Sequence, residues 1–228
     1  MGSASTEVHV GVLAIQGAFA EHIFSLQSAF ELLLATDHDI VRGKTLRVSE
    51  VRSPNDLEGL DGLVIPGGES TTMAKFLLRN NFIGALRHYI RPNDGQPAPA
   101  VWGTCAGLIL LSDHVLEEKE GGQCNIGGLP ITSTRNTYGR QKESFEINID
   151  VNPILGGEPI YNGVFIRAPG IQSIDSDDVT VLASIPLEHG AKPVAAEKAR
   201  LMATTFHPEL TSDTRWHRFF LLKVITPV

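Results

Sequence analysis

The chain has 228 residues, 42% of them hydrophobic and 20% charged, with a formal net charge of −7. That is the balance of a globular protein long enough to bury a sizeable core. With no basic excess to neutralise phosphates, it excludes general nucleic-acid binding and adhesion to an anionic membrane, and leaves a small molecule or a protein as the expected partner.

Two cysteines, Cys105 and Cys124, are too few for a disulfide scaffold and point to a reducing compartment, the cytoplasm by default. The opening Met1-Gly2-Ser3-Ala4-Ser5-Thr6 lacks the basic start and apolar run of a signal peptide, and no later stretch is expected to span a membrane. Residues 1–7 are expected to form a flexible N-terminus ahead of a single domain over residues 8–228.

Val8 to Ile15 reads as a strand closed by Gln16-Gly17, with a helical pattern from about Phe19 to Leu34. The apolar run Leu63-Val64-Ile65 ends at Pro66-Gly67-Gly68, and Ser70-Thr71 opens a helix that stops near Asn80-Asn81. Ala100-Val101-Trp102 reads as a buried strand that turns through Gly103 to Gly107 into a helix over Leu108 to Leu116. Strand–loop–helix units recurring in this way predict an α/β fold with a mainly parallel central sheet flanked by helices. Between Ile126 and Val181 the pattern changes to short strands punctuated by Gly and Pro, with alternation over Phe145 to Asp150, so a small antiparallel excursion is expected there. Leu201 to Phe206 supplies the last buried strand before His207-Pro208-Glu209, and Thr214 to Val224 a closing helix. Functional loops belong at the carboxyl ends of the parallel strands.

Gly103-Thr104-Cys105-Ala106-Gly107 has the form G-x-S-x-G with cysteine in place of serine, at the point where a strand should turn sharply into a helix. The glycines permit close packing around the nucleophile, and a helix amino terminus favours a thiolate. Such a thiol needs a base and a group to orient the base. His207-Pro208-Glu209 offers both, because in an extended segment the side chains at i and i+2 share a side and Pro208 disfavours a helical backbone at His207. Gly67, Gly68 and Ala106 are candidates for presenting backbone N–H groups to a developing oxyanion. Asp37-His38-Asp39 has metal-binding residue types but no H-E-x-x-H or Cys-His spacing to complete a site, so neither a metal nor another cofactor is expected. Cys124, with no elbow or base beside it, reads as a bystander.

The stretches P-G-G-E-S-T-T-M from Pro66, W-G-T-C-A-G-L-I from Trp102 and F-H-P-E-L from Phe206 resemble class I glutamine amidotransferases. Arg135 to Gln141 with Ser144-Phe145-Glu146, and Phe165-Ile166-Arg167-Ala168-Pro169, are similar more narrowly to the glutaminase subunits of pyridoxal 5'-phosphate synthase. Gly11 to Gly17 and Thr214 to His217 extend the similarity over nearly the whole chain. The resemblance implies a flavodoxin-like three-layer fold, with Cys105 as nucleophile, His207 as base and Glu209 as its partner. It also implies glutamine contacts from Gly68, Glu69, Ser70, Arg135, Ile166 and Arg167, and a hetero-oligomeric complex with a pyridoxal 5'-phosphate synthase subunit that consumes the ammonia. A zwitterionic substrate calls for a cation near its carboxylate and acceptors near its ammonium, which Arg135, Arg167 and Glu69 could supply in an order the sequence leaves open.

Two readings compete with this one. A glutaminase could serve another ammonia-consuming synthase, such as one that forms an imidazole ring, or the fold could persist in a catalytically silent regulatory subunit. Two segments also depart from the expected pattern: Thr36 to Arg47 reads as an expanded loop, and Leu187 to Arg200 carries Ala196-Glu197-Lys198 where a more apolar strand and turn are expected.

Overall fold

Strands buried on both faces require apolar residues at successive positions. Strands β3 (Gly62–Ile65) and β4 (Ala100–Thr104) meet that demand, every residue of both being buried. Leu63 and Ile65 enter the core on one side of the sheet, while Val64, between them, enters the core on the other. The computed structural model describes residues 6–79, 81–91, 97–116, 125–135, 137 and 144–226. Cys124, Asn136 and the stretch from Tyr138 to Gln141 lie outside the described residues.

Before β3 come β1 (Thr6–Leu13), α1 (Phe19–Thr36), the short α2 (His38–Val41) and β2 (Lys44–Val51). Helices α3 (Ser70–Arg79) and α4 (Phe82–Ile90) follow β3, and α5 (Ala106–Leu111) follows β4. Next are β5 (Ser112–Leu116), β6 (Leu129–Thr134), β7 (Ser144–Val151), β8 (Ile160–Ile166), β9 (Gly170–Ile174), β10 (Thr180–Ser184), β11 (Pro193–Lys198), β12 (Leu201–Thr204) and α6 (Arg215–Ile225).

Nine strands form one sheet in the order β2-β1-β3-β4-β12-β11-β10-β7-β8. Pairing is parallel from β2 to β12 and antiparallel from β12 to β8. A second sheet, β5-β6-β9, stands beside it. Leu26, Phe30 and Leu33 of α1 and Trp216, Phe220 and Leu221 of α6 cover one face of the large sheet, and Met73, Leu77, Phe82, Leu86 and Leu108 to Leu111 of α3, α4 and α5 cover the other. This is the expected three-layer α/β domain, with the antiparallel strands extending the parallel sheet.

Several local expectations are corrected. Thr6 and Glu7 are not part of a flexible terminus, since they pair with Lys44 and Thr45 at the start of β1. The helix expected from Leu108 to Leu116 ends at Leu111, where the Ser112 hydroxyl donates to the Leu108 carbonyl at 2.8 Å and Ser112 turns extended into β5. Apolar residues alone do not separate a buried helix from a strand. The Thr36 to Arg47 segment holds α2 and the start of β2 rather than one long loop. Leu187 to Arg200 does contain a buried strand, β11, and a turn in which Ala199 has φ 50°. The charges that made it look unusual are paired, Glu197 with Lys223 of α6 at 2.6 Å and Lys198 with Asp178 at 2.8 Å.

Candidate active site

The carboxyl ends of β1, β3, β4 and β12 meet at one cavity of about 480 Å³. It is lined by Gln16, Gly17 and Ala18 after β1, by Gly67, Gly68, Glu69 and Ser70 after β3, by Cys105, Ala106 and Ile109 around the turn after β4, and by His207 after β12. Arg135 after β6, Ile166 at the end of β8, and Arg167 and Pro169 before β9 close the remaining side. Every residue named as a site candidate from sequence lies on this lining except Glu209, which stands behind His207.

Cys105 adopts φ 50° and ψ −106°, a conformation that side chains other than glycine rarely take. Its N–H donates to the Thr204 carbonyl at 2.8 Å, and its own carbonyl accepts from Leu108 at the start of α5. The flanking glycines are required by contact. A Cβ on Gly103 would lie 2.5 Å from the Gly107 carbonyl group, and one on Gly107 would lie 2.0 Å from the Ile65 oxygen. Gly67 is packed just as tightly, since a Cβ there would lie 2.6 Å from His207 Cε1 and 3.2 Å from Cys105 Cβ. The β3 loop therefore presses its backbone against the thiol and the imidazole.

Glu209 reaches His207 by a route other than the expected one. Pro208 to Leu210 form a single 3-10 turn, so Glu209 is not two residues along an extended strand. Proline is well placed at the first position of such a turn. The turn brings the buried carboxylate back to His207, whose Nδ1–H donates to Glu209 Oε1 at 2.8 Å. The His207 N–H donates to the Val164 carbonyl of β8 at 2.8 Å, and Phe206 is anchored among Tyr161, Phe165 and Trp216. Burial acts to lower the His207 pKa, but hydrogen bonds to the Cys105 and Glu209 side chains and the negative charge on both outweigh it and raise it to about 10. Burial likewise acts to raise Glu209, but neighbouring His22 and the hydrogen bond from His207 hold it below the ordinary carboxylate range.

The helix after the β3 loop is capped by Glu69. Its carboxylate accepts from the N–H groups of Thr71 at 3.1 Å and Thr72 at 2.7 Å, and from the Thr72 hydroxyl at 2.8 Å. Partial burial works to raise this carboxyl, but those donors prevail and hold it at about 2. Arg135 donates to the hydroxyls of Ser70 at 2.8 Å and Thr71 at 2.7 Å and lies 3.5 Å from Glu69. Glu69 and Arg135 thus face the cavity while bracing the start of α3. Loss of a capping side chain costs about 1 kcal/mol, so Glu69→Ala is expected to lower the urea midpoint by a corresponding amount and to raise KM for the substrate; unchanged values for both would refute the bracing.

The sequence reading passed over four residues near the chemistry. Gln16 accepts from the Glu69 N–H through its side-chain oxygen at 3.3 Å, and a Cβ on Gly17 would lie 1.8 Å from the Gly67 oxygen. Their position after β1, at the carboxyl edge of the parallel sheet, is the signal that could have found them. His22 and His217 are fully buried behind Glu209, and nothing in their local spacing connects them. Among the described residues no group of three His, Cys, Asp or Glu could hold a metal ion.

A thiol on a strained strand-to-helix turn, with a His–Glu pair beside it in a three-layer α/β domain, is the arrangement of a class I glutamine amidotransferase. The sequence profile of the SNO glutamine amidotransferase family matches residues 12–226, and the chain belongs to that family. It is 44% identical over 216 residues to the pyridoxal 5'-phosphate synthase subunit PdxT of Listeria monocytogenes, covering 95% of this chain and 98% of that one. To the PdxT subunit of Herpetosiphon aurantiacus it is 43% identical over 212 residues, covering 93% and 98%. A crystal structure of a glutamine amidotransferase superposes with a TM-score of 0.76 at 36% identity, covering 94% of this chain and 98% of that chain. The glutaminase domain of a Trypanosoma brucei CTPS, 14% identical with a TM-score of 0.55, covers 96% and 94% and shares the fold.

Proposed function

We propose that the chain, as one glutamine amidotransferase domain that begins with β1, hydrolyses L-glutamine to L-glutamate and ammonia through Cys105, His207 and Glu209. The ammonia passes to a pyridoxal 5'-phosphate synthase subunit bound to it in a hetero-oligomeric complex. The observation that carries this reading is Cys105 on its strained turn, sharing the wall of a cavity large enough for an amino acid with a His207 that Glu209 orients.

With Nδ1 held by Glu209, the other nitrogen of His207 is left to serve the sulfur. The Cys105 sulfur attacks the side-chain amide carbon of glutamine while His207 holds the proton. The negative oxygen of the tetrahedral intermediate faces the N–H groups of Ala106 and of the Gly67-Gly68 loop, and one such donor contributes about 3 kcal/mol. His207 gives its proton to the departing nitrogen, releasing ammonia and leaving a glutamyl thioester. Water then attacks the thioester, His207 accepts its proton, and glutamate leaves as the sulfur is restored. Arg135 and Arg167 supply positive charge for the substrate carboxylate, Gly68, Glu69, Ser70 and Ile166 line its path, and no cofactor or metal enters the scheme.

Free ammonia in neutral water is mostly ammonium and no longer a nucleophile, so the product is useful only to an acceptor that takes it directly. The names of the Listeria and Herpetosiphon relatives support a pyridoxal 5'-phosphate synthase as that acceptor. The hairpin joining β10 and β11 reaches the same end of the sheet as the cavity and carries Leu187 at 85% exposure, a surface suited to a protein partner. We place the reaction in the cytoplasm, in keeping with a catalytic thiol that must stay reduced. Glutamate production should be slow for the chain alone and rise several-fold when the synthase subunit is added. Equal turnover with and without it would overturn the docking part of the proposal.

A further inference from the structure

The carboxylate of Glu209 has a second side that the triad does not use. His22 of α1 and His217 of α6 are both fully buried, and neither lines the cavity. His22 Nε2 lies 3.3 Å from Glu209 Oε2 and 3.3 Å from the Thr104 hydroxyl, and His22 Nδ1 lies 3.0 Å from His217 Nε2. Trp102 packs edge-on against both rings, with centroids 5.5 Å from His22 and 4.9 Å from His217. Five side chains thus run in one line from the cavity into the core: Cys105, His207, Glu209, His22 and His217.

We propose that His22 and His217 are positioning residues for the glutaminase reaction, forming a buried relay with fixed tautomers that holds the Glu209 carboxylate in place and in its ionised form.

The direction of each hydrogen bond follows from the carboxylate. Burial presses both histidines down to about 3, with the charge of Glu209 only partly opposing it at His22, so each is a neutral ring with one donor and one acceptor. Glu209 Oε1 already accepts from His207, and an ionised carboxylate can only accept. His22 must therefore carry its proton on Nε2. Its Nδ1 is then an acceptor, and His217 must donate from Nε2. That assignment leaves His217 Nδ1 as a bare lone pair, and among the described residues this nitrogen has no hydrogen-bond partner. The opposite assignment would set a His22 lone pair against the carboxylate and strand an N–H of His217 without an acceptor in the core. Glu209 Oε2 has no hydrogen-bond partner among the described residues, so this 3.3 Å contact sets the positive end of a neutral N–H dipole beside the carboxylate and is not an ion pair.

The relay matters to turnover because Glu209 orients His207 only while ionised. The titratable groups facing Glu209 are His22 from α1, His207 from its own turn and Tyr161 from β8, whose phenol burial pushes far above its usual range. Without the Nε2–H dipole of His22 3.3 Å from Oε2, the buried carboxylate takes up a proton at higher pH and loses the Nδ1–H of His207.

The proposal rests on the glutaminase reading, and two experiments separate the two. In the complex with the synthase, His22→Leu is expected to lower kcat by about 10- to 100-fold, by analogy with the loss of an outer partner that orients a metal-bound side chain. KM should stay within about twofold. The acid limb of the kcat profile should move towards neutral pH, and His22→Gln, which keeps an N–H at that end of the side chain, should recover most of kcat and of the original limb. A purely structural His22 would give equal losses in both variants with an unmoved acid limb, and that result overturns the proposal. In the wild-type chain, ¹⁵N-histidine NMR should find His22 and His217 both protonated on Nε2 and unprotonated on Nδ1 at neutral pH. A His22 protonated on Nδ1 overturns the proposal whether or not any variant folds. Wild-type complex that does not hydrolyse glutamine refutes the glutaminase reading instead, and leaves the tautomer assignment to the NMR.

Discussion

Replacing Cys105 by alanine is expected to remove glutamine hydrolysis, lowering kcat by on the order of 10⁴-fold or more, because loss of the nucleophile from a triad leaves only binding and the oxyanion donors. The thermal midpoint should stay close to wild type, since the side chain is small and alanine keeps the Cβ that Gly67 packs against. Covalent labelling by a glutamine-like electrophile should disappear in the same variant. Retained hydrolysis would remove Cys105 from the mechanism and favour a nucleophile elsewhere, whereas a wild-type chain that neither labels nor turns over with its synthase would favour a silent subunit.

A large loss of stability is expected from Gly107→Ala, two residues beyond Cys105. The added Cβ would meet the Ile65 carbonyl oxygen at 2.0 Å and its carbon at 2.9 Å, and a strand backbone cannot rotate aside as a side chain can. Overpacking of this kind costs about 3 kcal/mol, which for a domain of this size lowers the melting midpoint by roughly 6–12 °C. Differential scanning fluorimetry would measure it. A shift below about 2 °C would mean that α5 and β3 separate easily, and that the turn at Cys105 is not held by their contact.

Gly103, Cys105 and Gly107 were legible in the sequence because they fall in one short turn motif, although the contact that requires Gly107 is with Ile65 of β3, forty-two residues earlier. Legible too were β3, β4 and β12, whose apolar runs advertise burial on both faces. The route from Glu209 to His207 was not legible. Spacing i to i+2 suggested an extended strand, but the Pro208 turn and the Val164 carbonyl of β8 set the geometry, and β8 lies more than forty residues earlier in the chain. Ser112 was missed for a related reason, since its conversion of helix into strand depends on β6 being there to pair with. Glu69 was named as a glutamine contact, and its capping of α3 became visible only once the N–H groups of Thr71 and Thr72 were located. His22 and His217 are 195 residues apart, and only the packing of α1 on α6 brings them together.

The connection from Thr36 to Lys44 enters β2 opposite Thr6, at the amino end of β1, whereas the chemistry lies beyond Leu13 at the carboxyl end. Eight residues of strand separate the two, about 26 Å at the usual rise. A fluorophore or affinity tag on the exposed Asp39 or Arg42 would therefore sit at the far pole of the molecule from the thiol. The fold supplies its own attachment point for following assembly and turnover at the same time, with the reporter and the reaction kept apart by the length of the sheet.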